Sequence, residues 1–251
     1  MSNSISQAVI LAGGRGERLT PLTDTIPKPL APVNGIPFLD YLIYSLIIAD
    51  IDRILILIGY KGGLIAERYA SMSKINVEFS HGAEDEQTGR RLLNAYDRLD
   101  NHFLLMYGDN YWPIELAKMW NNYQDLRVPV TTTIFSNKNG TGEYGWENNV
   151  VIGSDSIVHK YDKIRETSIA NGLDIGYFLV AKDAIDPGIQ GNISFEDDIL
   201  NSLISTKELG AFLTDTQYHW ITDVSALERF QTEQIKNKFA PLPCEYFESP
   251  I

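Results

Sequence analysis

Residues Leu11–Leu30 read LAGGRGERLTPLTDTIPKPL. Three glycines, two arginines, one lysine and three prolines stand directly behind the apolar run Ala8-Val9-Ile10-Leu11. The chain has a formal net charge of -12, so cations gathered here run against its general character. Glycine lets backbone N–H groups come close to an anion, and successive N–H groups form a concavity that suits one. Arg15 and Arg18 can grip an oxyanion with paired hydrogen bonds, and Lys28 adds a point charge. Pro27 and Pro29 restrict the backbone on both sides of Lys28. The stretch is therefore either a glycine-rich turn with surplus charge or a receiver for something negative. It is not a Walker A loop, because no Gly-Lys-Ser/Thr closes it. Nor is it the dinucleotide fingerprint, because Leu19 stands where the third glycine belongs.

Outward from this stretch, apolar runs alternate with helical patterns. Gln7–Ala12, Arg53–Ile58 and Phe103–Tyr107 are continuous apolar strands, and Asn76–Phe79 is a shorter one. Phe38–Ala49, Leu64–Met72 and Thr88–Leu99 are the helices between them. Continuous rather than alternating apolar strands, separated by helices, predict an α/β fold whose mostly parallel sheet is covered on both faces. The second half is richer in strands: Val128–Phe135, Val150–Lys163 and Asp174–Ala181, with helices at Ser194–Ile204 and Asp223–Lys238. No linker-like composition separates the halves. The expected organisation is one domain over residues 1–239, with a first half to about residue 125 and a second from 126, followed by an irregular tail over 240–251.

Composition narrows the function classes. The chain has 251 residues, 44% of them hydrophobic, ample for a sizeable core. With 33 acidic against 21 basic residues it lacks the basic footprint of a general nucleic-acid binder. No apolar run reaches the roughly 20 residues that span a bilayer. The single cysteine, Cys244, permits no internal disulfide, and residues 1–6 do not read as a signal peptide, so the cytoplasm is the default expectation. Four scattered histidines lack zinc-ligand spacing, and no nucleophilic cysteine or Ser-His-Asp set is evident.

The segment Leu11–Ile43 resembles the signature of the sugar-nucleotide pyrophosphorylases, nucleotidyltransferases that join an NTP to a sugar 1-phosphate. Gly13, Gly14, Gly16, Arg18, Leu19, Pro27, Lys28, Pro29 and Pro37 match its pattern, while Glu17 replaces a frequent Thr or Ser. Gly59-Tyr60-Lys61-Gly62, Tyr107-Gly108-Asp109, Gly142–Gly145, Tyr161-Asp162-Lys163, Ser194–Leu200 and Trp220–Val224 follow in the family's order, so the resemblance spans roughly residues 7–235. It implies a three-layer α/β/α Rossmann-like nucleotidyltransferase fold with a mixed, mostly parallel central sheet. It also implies Mg²⁺, and an NTP and a sugar 1-phosphate as partners, with no nucleic acid or membrane; a homo-oligomer is possible.

Residue roles carried over by the resemblance are as follows. Leu11, Ala12, Gly13, Gly14, Arg15 and Gly16 cradle the nucleotide, together with Thr88, Gly89, Gly108 and Asp109. Arg18 and Lys28 are the catalytic cations. Asp109 and Asp223 hold the metal. Gly145, Lys163, Asp174 and Glu196 receive the sugar phosphate. Several positions have plainer readings. Asp109 suits a turn, Asp223 an N-cap, Lys163 a solvated lysine, and Ser194-x-x-Asp197 a capping box that leaves Glu196 merely at a helix start. Asp174 stands where the family usually has Asn, which removes a donor and adds charge. Arg90 and Arg91 resemble a cytidylyl-type Thr-Gly-Gly-Arg segment or are two exposed arginines balancing Glu84–Glu86. Two other classes fit less well: a glycosyltransferase, though Asp109-Asn110-Tyr111 is not Asp-x-Asp, and a catalytically silent nucleotide-sugar binder.

Overall fold

The structure is a computed structural model in which residues 5–138 and 148–247 are described. The expected sugar-site glycine Gly145 lies outside them. The first strand, β1 (Gln7–Ala12), is buried throughout. Two short strands, β2 (Pro32–Val33) and β3 (Ile36–Pro37), pair antiparallel and lead into helix α1 (Phe38–Ile48). Strand β4 (Arg53–Ile58), helix α2 (Gly62–Tyr69) and strand β5 (Asn76–His81) follow. Next come α3 (Thr88–Asn94), β6 (His102–Tyr107), β7 (Asn110–Tyr111) and α4 (Leu116–Leu126). The remainder is β8 (Val130–Phe135), β9 (Val150–Ile152), β10 (Val158–Tyr161), β11 (Leu173–Ala181), α5 (Asn201–Thr206), β12 (Leu209–Thr214), β13 (His219–Trp220) and α6 (Val224–Asn237).

Hydrogen bonds order the seven long strands β12-β8-β11-β6-β1-β4-β5. β1, β4 and β5 run parallel, as do β8 and β12, and β11 is antiparallel to β8. This is the mostly parallel sheet expected from the apolar runs, with the mixed character implied by the resemblance. The chain divides into two compact units. One holds Ser6–Glu86, Met106–Ile114 and His219–Ile251; the other holds Met1–Ile5, Gln87–Leu105 and Glu115–Tyr218.

Some elements differ from their sequence patterns. The long strand expected over Val150–Lys163 is the β9–β10 hairpin, turned at Gly153–Ser156, where Ser156 has φ +61. The helix expected through Leu99 tightens after Asn94 into a 3₁₀ turn at Tyr96–Arg98, as helix ends often do. The helix expected from Ser194 begins as a π turn, Phe195–Leu200, before α5. Residues 240–247 are pinned: Leu242 is buried and its N–H donates to Asp40 O at 3.1 Å, and Phe247 bridges to Met72.

Candidate active site

The glycine loop and the proline-framed lysine pack against each other. Gly16 has φ +66, and a Cβ there would lie 2.8 Å from Lys28 Cβ. Glycine is thus required by both backbone conformation and space. Thr23 Oγ1 and Leu19 N–H both donate to Gly16 O, at 3.1 and 2.9 Å, and Leu19 is fully buried. Gly14 has open space where a side chain would stand. Lys28 opens a 3₁₀ turn at Lys28–Leu30 and is largely buried; its Nζ donates to Asp109 Oδ2 at 2.5 Å.

Asp109 is placed by the end of β6. Gly108 N–H donates to Leu11 O at 2.9 Å, and a Cβ at Gly108 would sit 3.0 Å from that oxygen. The short β7–β13 pair then ties the next residues together, and Ile221 N–H donates to Asp109 O at 3.0 Å. Asp223 follows two residues later. Its Oδ1 caps α6 by accepting from Ala226 N–H at 2.9 Å. The plain capping reading of Asp223 is therefore real, and it engages one carboxylate oxygen. Among the described residues, Asp109 Oδ1 and Asp223 Oδ2 have no protein partner.

The two arginines of the loop differ. Arg18 is exposed and makes no hydrogen bond or ion pair among the described residues. Arg15 is exposed as well, but it donates to Glu84 Oε2 at 2.9 Å and lies over the Tyr60 ring at 5.2 Å. The Glu84 hydrogen bond and charge raise its pKa further above the ordinary arginine value. Glu84, set against Arg90 and Arg91 in the sequence reading, is thus a partner of the loop. Nothing in its local sequence signals this, because the pair spans 69 residues.

The second set of expected residues lies in the other unit. A Cβ at Gly89 would meet Ile193 O at 2.9 Å and Ser194 C at 3.0 Å, so the start of α3 sits directly on the 193–194 backbone. Thr88 Oγ1 accepts from Phe195 N–H at 2.8 Å and donates to Glu196 Oε2 at 3.1 Å. Ser194 Oγ donates to the same Glu196 oxygen at 3.0 Å and accepts from Asp197 N–H at 3.1 Å. The reciprocal bond of the capping box goes to Asp198, which accepts from Ser194 N–H at 2.7 Å. The wider π turn moves that partner one residue along the chain. Lys163 Nζ lies 2.7 Å from Asp197 Oδ1. Thr88, Glu196 and Lys163 therefore meet on one segment.

Asp174 is committed to internal bonds. It accepts from Thr132 Oγ1 at 2.8 Å, Gly176 N–H at 3.0 Å and Tyr161 OH at 2.9 Å. Burial pushes its carboxyl up despite these donors, and burial with the Asp174 charge pushes Tyr161 well above the usual phenol. The arginines after Gly89 are not two exposed solvated residues. Arg90 donates to Gly191 O at 2.5 Å and Ile189 O at 3.0 Å, and Arg91 is buried.

A family profile described as Nucleotidyl transferase matches residues 7–146. Among curated proteins, D-glycero-alpha-D-manno-heptose 1-phosphate guanylyltransferase of Aneurinibacillus thermoaerophilus is 26% identical over 215 residues, covering 84% of this chain and 91% of that protein. The probable glucose-1-phosphate cytidylyltransferase of Bacillus subtilis is 28% identical over 232 residues, covering 82% and 87%. The crystal structure of HddC from Yersinia pseudotuberculosis complexed with GMP-PN superposes with a TM-score of 0.76 at 22% identity, covering 91% of this chain and 99% of that one. At that identity the likeness concerns the fold. The profile covers more than half of the chain and includes the glycine loop, Lys28 and Asp109. The chain belongs to the nucleotidyl transferase family, as a sugar-nucleotide pyrophosphorylase.

Proposed function

We propose that the chain joins an NTP to a sugar 1-phosphate, giving an NDP-sugar and pyrophosphate by in-line attack of the sugar-phosphate oxygen on the α-phosphorus. The observation that carries this reading is the loop of Gly13, Gly14 and Gly16 folded against Lys28, with Lys28 bonded to Asp109. The loop's N–H groups and Arg18 suit the triphosphate, and Arg15 suits it once released from Glu84. Lys28 is placed to stabilise charge that develops at the α-phosphate. A fixed cation in a partly dry site opposes such charge without reorganising. In the other unit, Lys163 suits the sugar phosphate and Glu196 the sugar hydroxyls. Asp174 contributes by holding Tyr161 and Thr132 in place.

Mg²⁺ fits the donor set. Among the described residues, Asp109 and Asp223 each keep one oxygen without a protein partner, and Mg²⁺ prefers one or two carboxylates with phosphate oxygens and water. No group of three or more His, Cys, Asp or Glu is gathered for a metal among the described residues, and such a ligand set does not require one. Bound there, the ion would neutralise phosphate charge. The test is a matrix of four NTPs against hexose and heptose 1-phosphates with Mg²⁺, read by pyrophosphate release and by mass of the NDP-sugar. GTP and CTP come first, because the relatives matched along most of their length are named guanylyl- and cytidylyltransferases. One pair should stand out by at least tenfold in kcat/KM. Absence of NDP-sugar from every pair would overturn the reading.

A further inference from the structure

The turn Gly59-Tyr60-Lys61-Gly62, after β4, has no role in the chemistry above. Tyr60 nevertheless touches the glycine loop three times. Its N–H donates to Gly13 O at 3.0 Å, its hydroxyl donates to Thr23 O at 3.0 Å, and its ring lies under Arg15 at 5.2 Å. Thr23 in turn donates to Gly16 O. One residue, through its backbone N–H and its hydroxyl, thus ties the beginning of the loop to its end. The same ring also carries the Lys61 ammonium, 5.3 Å from its centre. Two cations held at one ring repel each other, and the ring's negative face offsets only part of that cost.

Lys61 is placed at a backbone cost as well. It has φ +49, a left-handed conformation that glycine adopts without penalty and a lysine does not. Two glycines, Gly62 and Gly63, follow it, and Gly62 is fixed by space, since a Cβ there would lie 2.7 Å from Ile58 Cβ. A lysine kept where glycine is cheaper, beside a second cation, points to a charge required at that place.

We infer that this turn is part of the nucleotide site: Tyr60 is a positioning residue that sets the shape of the glycine loop, and Lys61 joins Arg15 as a cation for the triphosphate. The inference rests on the assignment of the NTP to the glycine loop. Glu84 holds Arg15 while no nucleotide is bound, and an incoming phosphate replaces that carboxylate as its partner.

Lys61→Gly separates binding from architecture, because it removes the charge and relieves the backbone together. The expected result is a Tm equal to or above that of the parent, with KM for the NTP raised about fivefold or more and kcat changed less. The KM increase should shrink as salt is added. Tyr60→Phe keeps the ring and loses the bond to Thr23. It should also raise KM, and should combine less than additively with Thr23→Val, because both act through one loop. An unchanged KM in Lys61→Gly, or additive effects of Tyr60→Phe and Thr23→Val, overturns the inference. Arg18→Ala distinguishes the two levels. If it too leaves NTP binding intact, the assignment of the nucleotide to this loop has failed; if it weakens binding while Lys61→Gly does not, only the inference about the turn has.

Discussion

Asp223 has two assignments that one substitution separates. Its Oδ1 caps α6, and its Oδ2 is without a protein partner among the described residues. Asn caps helices as well as Asp does but binds Mg²⁺ poorly. Asp223→Asn should therefore change stability by less than about 0.5 kcal/mol in urea unfolding while lowering kcat by roughly 10²–10³ in Mg²⁺. A folded variant with near-parental turnover would remove the metal role. Lys28→Ala should lower kcat by a similar factor, about 10²–10³, and should also destabilise the fold by roughly 1–3 kcal/mol, because Asp109 loses its charged partner in a part-buried place. Differential unfolding and single-turnover rates check the two parts separately. At this scale the sequence was most legible where residues are neighbours in the chain, as from Gly13 to Lys28. Pairs set by the fold were hidden: Arg15 with Glu84, and Lys163 with Asp197.

Apolar continuity made β1, β4 and β6 readable, since their burial leaves little choice of residue. β12 was not anticipated, because Gly210 and Ala211 interrupt its apolar pattern. Gly210 is small for a packing reason: a Cβ there would lie 2.7 Å from Leu126 Cδ1. α4 begins at Leu116, on the spacing Leu116, Met119, Tyr123. The segment Ser194–Leu200 shows how local signal and local geometry part. Its capping serine was legible, but the π turn that moves the return bond to Asp198 was not. Ser194→Ala removes an acceptor for Asp197 N–H and a donor to Glu196. It should cost about 1 kcal/mol of stability, measured by urea unfolding, and should raise KM for the sugar 1-phosphate through Glu196. A raised KM for the NTP alone would contradict the placement of Glu196 at the sugar.

For the whole molecule, His219 contributes to the acid limb of stability, beside Asp155, Asp162 and Glu233, whose pKa values are lowered. It is buried beside the rings of Tyr111, Phe230 and Phe239, and burial lowers its pKa from 6.5 to about 4 against the opposing pull of Glu233. Between these two values the unfolded chain binds a proton that the folded chain refuses. Stability should therefore decline as pH falls from about 6.5 towards 4, by up to about 3 kcal/mol from this group. Asp174, whose pKa is raised, works in the opposite direction at the acid end. His219→Phe should flatten the decline in a Tm-against-pH series; an unchanged slope would assign the acid limb elsewhere. At this scale the α/β class and the mostly parallel sheet were legible from the periodicity, and the family, with its mixed sheet, from the ordered motifs. The division into two units was not, because each unit gathers segments distant in sequence.

Direct transfer between two bound ligands, without a covalent nucleotidyl-enzyme, is measured by mixing enzyme, Mg²⁺ and the preferred NTP in a quench-flow instrument with and without the sugar 1-phosphate. With it, pyrophosphate and NDP-sugar should appear together in a one-to-one ratio. Without it, no pyrophosphate should form; a burst approaching one pyrophosphate per active site in its absence would contradict the mechanism.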